Sequence, residues 1–510
     1  MPARGAALLF LLSLMAVEPR AAMSLFPTSG GPAIPADAPL RLRFDQAVTF
    51  ARKGALTVFA ADTRKAVFTL DFGLIPKAAA ATGWPYRRNV GGDMINIHPV
   101  ILSEREAYIA LPRGILAPGK AYYLDLAAGA FVEADGRANA ALSGPDAWRF
   151  TTHPNPVPGR SAYAIAADGT GDFCTLQGAL DFLPSGNNTP VTLSVAPGTY
   201  PESIRSIGKH RIRIAGADKD RCVVRYANNE AFNSGSTYRS LARIFGNDIL
   251  LHNLTFVNDT PNGGTQAEAL FLRGERCVIA GCAFISFQDT MLLEGRVFLS
   301  ECAITGAVDY VWGTGIAFFD RCTLTSNSDG YIVQARNEKG AGGYVFNACT
   351  LIATGNARSW LARDGEGRFP DGQVLWIDTR MGAHIQPAGW LLKAPGGTNP
   401  GFAEYRSLDS AGNPISLAGR SAFARQLTAA EAGRFRDPSN VLGGKDQWDP
   451  RAAAPSGTRV VRKHGFADKG RLRSYGKPAY DLRGARLPAG QGHGRASALF
   501  PRIPSLPFDP

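Results

Sequence analysis

Between residues 25 and 153, apolar and polar positions alternate in short runs (LRLRF, ALTVFAA, AVFTLDF, AYIALP, AYYLDLA and AWRFTT), separated by Gly, Pro and Asp. A period of two marks strands buried on one face, so this stretch predicts a β-sandwich. HPNPVPG, at 153 to 159, then reads as a stiff Pro-rich linker. After it, Thr175 is placed to cap a short helix with Leu176, Ala179, Leu180 and Leu183 on one face, stopped by Pro184. Such a helix would cover the open end of a β-solenoid.

The central part of the chain repeats. VIAGC, VFLSEC, AFFDRC and YVFNAC end at Cys282, Cys302, Cys322 and Cys349, spaced by 20, 20 and 27 residues. Short β-branched and aromatic runs recurring at this period predict a solenoid whose coils stack, with the four cysteines as an inward-facing ladder of core thiols. No CxxC spacing supports zinc, so no metal is expected.

Composition narrows this further. The chain has 510 residues, 45% hydrophobic and 19% charged, which excludes wholesale disorder, and its 57 Gly and 34 Pro lack a Gly-X-Y period, which excludes collagen. Arg4, the apolar run from Ala6 to Val17, Pro19 and the small residues Ala21 and Ala22 have the layout of an export signal, assigned to residues 1–22. Beyond it no apolar run reaches the roughly 20 residues a bilayer crossing needs. A secreted or periplasmic protein without a membrane span is therefore expected, and its odd count of seven cysteines precludes a complete disulfide framework. The formal charge is +12, and from Arg451 onward 12 Lys and Arg face three Asp, so residues 449–510 read as a basic, extended or disordered tail. Such an arm would hold a polyanion; for an exported protein, nucleic acid is not the expected one.

Applied to the polar residues, the repeat brings chemistry together. Asp289 and Asp309 each lie seven residues after a ladder cysteine and should stack on neighbouring strands about 4.8 Å apart. Two carboxylates so close cannot both ionise easily, so one keeps a proton while the other stays anionic: an acid beside a nucleophile. Asp329 shares the offset but sits in SNSDG and reads as a turn residue. Gln288 precedes Asp289, and Gln266 lies one coil earlier, each able to offer an amide N–H to a developing oxyanion. Arg336 and Arg363 each lie 14 residues after a ladder cysteine, where a guanidinium could orient an anionic Asp.

With these motifs in order, the chain resembles the pectin methylesterases, or pectinesterases. The resemblance runs from YAIAADGTGDFCTLQGAL at Tyr163 through GTYPE, TQAEAL, FQDTMLLEG, VDYVWG, YIVQARN, WLARD and IQPAGW to QLTAAEAGRF, ending at Phe435. APLRLRFDQAV and AWRFTT resemble in turn the bacterial Ig-like domains that precede many exported enzymes. The implied fold is all-β: an N-terminal Ig-like β-sandwich at 25–153, a linker at 154–160 and a right-handed parallel β-helix at 161–448. The implied activity is hydrolysis of the C6 methyl esters of pectin to polygalacturonate and methanol, with no cofactor, by a monomer whose partner is the methylated polysaccharide. Carried over by motif, Asp309 matches the nucleophile, Asp289 the general acid and base, Gln266 and Gln288 the oxyanion-stabilising amides, and Arg363 the arginine that holds the nucleophile.

Two departures bear on the site. The family's LGRPW motif reads Leu361, Ala362, Arg363, Asp364, Gly365, so a cleft Trp is missing. Trp312 or Phe369 could supply its stacking surface, and the candidate substrate contacts are Gln266, Arg363, Trp312, Thr265 and Phe369. The usual QAVAL reads QAEAL, and Glu268 is expected to point outward. A different ester or thioester as substrate, and a non-catalytic carbohydrate-binding β-helix, are the alternatives.

Overall fold

The computed structural model describes residues 23–78, 83–392 and 399–453. The chain separates into two compact units, Met1–Thr458 and Arg459–Pro510, and all described residues lie in the first. The segment read as an export signal and the basic tail from 454 onward fall outside the described residues.

Residues 24–151 form two four-stranded antiparallel sheets and two two-stranded pairs, Val48–Phe50 with Phe131–Glu133 and Arg87–Val90 with Asp93–Asn96. One four-stranded sheet runs Ser24–Phe26, Leu40–Arg43, Glu106–Ile109, Val100–Leu102; the other Arg149–Thr151, Ala121–Leu126, Ala55–Ala60, Ala66–Asp71. The alternation seen in sequence sorts the two faces: Leu40, Leu42, Leu56, Val58, Leu124 and Leu126 fill one shared core, while Arg43 stays outside. Trp148 is fully buried in that core, and its Nε1–H donates to the Pro27 carbonyl at 2.8 Å, which satisfies its one polar atom.

From Ala162 onward the chain winds into a single 23-stranded sheet in which each strand pairs in parallel with its counterpart one coil on, a parallel β-helix. Side chains on opposite strand faces sort into an inner and an outer stack. The inner stack includes Phe319, Phe346 and Trp376, with ring centroids 4.3 and 3.9 Å apart. The outer stack, Val278, Phe298, Phe318, Val345 and Leu375, would lie bare but is roofed by Leu427, just before the C-terminal helices, and by Ala432 and Leu442 from those helices. At the other end, Leu176–Phe182 is the expected cap helix: the Thr175 side chain accepts from Gly178 N at 2.9 Å, and Leu176, Ala179 and Leu180 are buried.

The cysteine ladder has a backbone cause. The residue before each rung (Gly281, Glu301, Arg321, Ala348) adopts positive φ, between 52° and 60°, turning a sharp corner that drives the next side chain inward. All four thiols are buried and free; Cys302 donates to Ile279 O at 3.5 Å and Cys349 to Phe319 O at 3.4 Å. Burial pushes the Cys302 and Cys322 thiols well above the ordinary range, so both pack as inert core groups.

Two sequence expectations need correcting here. Pro450–Ala452 is a 3-10 turn rather than the start of a formless tail: the Asp449 side chain accepts from Arg451 N, and Pro450 is buried. Asp329 is not a turn residue but lies exposed within the strand Thr323–Ala335, where its carboxylate accepts from Arg358 N at 2.8 Å. Among the described residues no helix is long and apolar enough to cross a membrane.

Candidate active site

Strand register brings three carboxylates into one row. Leu270 pairs with Met291 and Met291 with Val311, so two positions earlier Glu268, Asp289 and Asp309 succeed one another on adjacent coils. The bridge between Gln288 and Val308 fixes the same alignment. Asp329 does not extend the row. Two register shifts intervene and Val308 faces Tyr331, so the position after Asp309 is apolar. The third acid of the ladder is Glu268, one coil before the pair instead of one coil after.

Asp289 and Asp309 both adopt left-handed backbone, at φ 62° and 47°. A non-glycine residue there costs roughly 1–2 kcal/mol, and short polar side chains tolerate it best. Both carboxylates are buried, at 5% and 3% exposure.

The partners of Asp309 are cationic and geometric. Arg363 Nε donates to Oδ1 at 2.7 Å and Nη2 to Oδ2, a two-pronged clamp, and Gln334 Nε2 adds a bond to Oδ2 at 3.1 Å. Arg336 has no hydrogen bond to Asp309; its Nε donates to Gln334 Oε1 at 2.7 Å, while its charge is near enough to act on both Asp289 and Asp309. Burial opposes the Arg363 charge, but Asp309 outweighs it and keeps the guanidinium above its ordinary value. Behind the clamp, the Arg363 guanidinium lies 4.5 Å from the Tyr331 ring centre.

Asp289 has different company. It accepts one N–H from Arg239 Nη2 at 2.8 Å, and Arg239 spends its other donors on Glu268 and Glu230. Burial raises the Asp289 carboxyl well above the usual range; the Glu268 and Asp309 charges add to this, while Arg239 and Arg336 oppose it. The row therefore holds one carboxyl clamped by arginine beside another whose protonated form burial favours, an arrangement suited to nucleophilic attack followed by proton donation.

The expected outward orientation of Glu268 is wrong. It is fully buried, because the alternation that sends Ala267 and Ala269 into the core also leaves Glu268 in the acid row, where Arg239 compensates it. Arg239, Glu230 and Gln334 were missed in sequence. Gln334 lies in the quoted YIVQARN, but nothing in its spacing from a ladder cysteine marks it.

Gln266 and Gln288 lie side by side on adjacent coils, the Ala267 N–H donating to Gln288 O at 3.2 Å. Both are half-buried, and among the described residues neither side-chain amide is engaged, so each is free to donate. Thr265 is exposed and its hydroxyl accepts from Ala231 N at 3.2 Å. Trp312 lies 5% exposed on Leu292 and Phe271, with the Arg336 guanidinium 4.1 Å from its ring centre. Phe369 is half-buried, its ring centre 5.2 Å from the same guanidinium.

A family model described as Pectinesterase matches residues 162–437. Pectinesterase 31 of Arabidopsis thaliana is 30% identical over 287 residues, covering 53% of this chain and 89% of that protein. Pectinesterase 2 of Olea europaea is 29% identical over 301 residues, covering 56% and 80%. Among solved structures, the pectin methylesterase from carrot superposes with a TM-score of 0.53 at 19% identity, covering 59% of this chain and 98% of that one, a likeness of fold.

Proposed function

The chain belongs to the pectinesterase family and is a carboxylic ester hydrolase of pectin; from that premise we propose that Asp309 is its nucleophile and Asp289 its general acid and base, acting on the C6 methyl esters of homogalacturonan. The observation that carries this reading is the Asp309 side chain clamped by Arg363 one coil from a second buried carboxyl, which burial pushes above the usual range. An oxygen of Asp309 attacks the ester carbonyl carbon, and the resulting oxyanion accepts from the Gln266 and Gln288 amides. Collapse breaks the bond to methoxide, which leaves as methanol with the Asp289 proton. The Asp289 carboxylate then takes a proton from water, the hydroxide attacks the acyl-enzyme, and the free galacturonate and Asp309 are released.

Splitting the displacement in two is what a covalent intermediate contributes, with each placed proton transfer worth roughly 10²- to 10⁴-fold. For the sugar, Phe369 and Thr265 are the accessible contacts, since Arg336 covers the Trp312 ring. Residues 25–153 we assign as an Ig-like domain, on their two antiparallel sheets over one core. The protein acts as a secreted monomer on a polymer too large to enter a cell.

Methanol release from highly methylated pectin, with an acyl thioester as comparison, tests the reading. Turnover of pectin and none of the thioester is expected; the reverse preference would move the protein to another ester.

A further inference from the structure

Glu268 takes no part in the two-step reaction, yet it is the one fully buried member of the acid row. A β-helix does not need it, because a buried ion pair at best breaks even against a well-packed apolar residue. Its geometry is specific to Arg239. Nε donates to Oε1 at 2.9 Å and to Oε2 at 3.1 Å, and Nη2 to Oε1 at 2.8 Å, so the flat edge of the guanidinium faces Glu268. Nη1 goes to Glu230 at 3.0 Å. Asp289 receives one N–H only, from a nitrogen it shares with Glu268.

Counting the charges that face Asp289 shows what this does. Arg239 and Arg336 act on it directly, and Arg363 stands behind Asp309; Glu268 and Asp309 are the facing carboxyls, and Glu230 lies behind Arg239. Burial raises Glu268 too, against the charge and hydrogen bonds of Arg239; with Glu268 ionised in that fork, three cations meet three carboxylates before Asp289 is counted. The buried site is balanced when Asp289 is neutral and carries an extra negative charge when it ionises. Without Glu268, the same count favours an Asp289 carboxylate, with the fork of Arg239 free to turn toward it.

We propose that Glu268, acting through Arg239, is a positioning residue that keeps a proton on Asp289 until methoxide departs. The assignment rests on the esterase reading above. It serves both half-reactions, since a carboxyl that holds its proton while the ester is attacked is also, once emptied, a stronger base toward water.

The test is the pH profile of kcat/KM on methylated pectin for the wild type, Glu268→Gln, Glu268→Asp and Arg239→Gln. Attack requires a protonated Asp289, so the alkaline limb reports its loss of that proton. In Glu268→Gln this limb should move to lower pH by about one unit, a loss of roughly tenfold at a fixed pH on that side. Glu268→Asp should restore most of it. Arg239→Gln should move the limb the opposite way, because a cation has gone; should Glu268→Gln fail to fold, Glu268→Asp, whose shorter side chain weakens the fork to Arg239, decides by whether the limb still moves by a smaller amount to lower pH. A structural role would lower activity equally at every pH and leave the limb in place, and that result overturns the proposal. A second readout works without turnover: the infrared band of the protonated carboxyl, identified by its disappearance in Asp289→Asn, should titrate at lower pH in Glu268→Gln. If the wild type releases no methanol the esterase reading falls, while the infrared shift still decides the role of Glu268.

Discussion

Replacing Arg363 with Lys separates charge from geometry at Asp309, the proposed nucleophile. The Asp309 side chain is 5% exposed and takes two N–H bonds from the guanidinium. A lysine ammonium keeps the positive charge but is a single point and can serve one of those oxygens at a time. One charge-assisted bond, worth about 1.5–3 kcal/mol, is therefore lost. If that energy is used to hold the carboxylate in line for attack, kcat falls by about 10- to 150-fold, at tenfold per 1.36 kcal/mol. Arg363 spends Nε and Nη2 on Asp309, and the sugar contacts assigned to Phe369 and Thr265 are untouched, so KM should stay within about twofold. The Arg363 side chain is one-fifth exposed and the ion pair survives, so melting should shift by no more than about 4 °C. Methanol release, read by coupled oxidation with kcat and KM separated, measures the first two quantities and calorimetry the third. Arg336→Lys is the internal control: its link to Asp309 passes through Gln334, so it should cost less. A harmless Arg363→Lys beside a damaging Arg336→Lys would refute the reasoning and exchange the roles of the two arginines.

Asp309→Asn keeps the shape and hydrogen-bonding length but removes the attacking charge; kcat should drop below about one-thousandth of wild type, and quenched samples should contain no acyl-enzyme by mass spectrometry. Asp289→Asn should slow turnover and erase the alkaline limb of the pH profile. It should also reveal a stability effect with a definite sign: the folded Asp289 holds its proton more tightly than the unfolded chain does, so its contribution is full at low pH and is lost as pH rises through its raised folded value. The melting temperature of Asp289→Asn relative to wild type should therefore be higher at pH 8 than at pH 4, and an equal difference at both would show that Asp289 is not held neutral. Gln288→Ala should lower kcat by about 10²- to 10³-fold with normal melting, as expected for one oxyanion donor.

The coil period was legible because it is written by two constraints at once, a left-handed corner residue and the inward thiol after it, and both recur in register. Asp289 and Asp309 could be paired from sequence because the coils on which they lie are the same length. Asp329 could not be excluded the same way, since the next coil is longer and slips by two register shifts before the equivalent position. Glu268 is the instructive failure. Its spacings of 21 to Asp289 and a further 20 to Asp309 carried the signal, but a charged residue replacing an apolar one was assumed to face water. The compensating Arg239 and Glu230 sit in a segment without regular structure, where no period marks them. Strand alternation in residues 25–153 was readable because each strand has one wet and one dry face.

That irregular segment, between the strands Cys222–Tyr226 and Ala242–Phe245, is held in place by the N-terminal hairpin Arg87–Val90/Asp93–Asn96 and its flanks and not by the β-helix alone. Asn96 N donates to Asn233 Oδ1 at 2.8 Å, Asn233 Nδ2 returns a bond to Asn96 O at 3.0 Å, and Asn96 Nδ2 reaches Phe232 O at 2.7 Å. Phe232 stacks on His98 with ring centres 4.2 Å apart and meets the edge of Trp84 at 5.1 Å. Burial pulls the His98 imidazole down to about 4, so it is uncharged at neutral pH and packs as an aromatic ring. Its backbone N–H binds the Tyr226 hydroxyl at 2.7 Å, tying down the start of the segment. Both asparagines are buried, so parting the two surfaces would strand several polar groups at about 1–3 kcal/mol each. Glu230 and Arg239 flank Phe232 and Asn233 in this clamped stretch. This N-terminal hairpin consequently helps set where Arg239 stands and, in the role proposed above for Glu268 and Arg239, how firmly Asp289 keeps its proton.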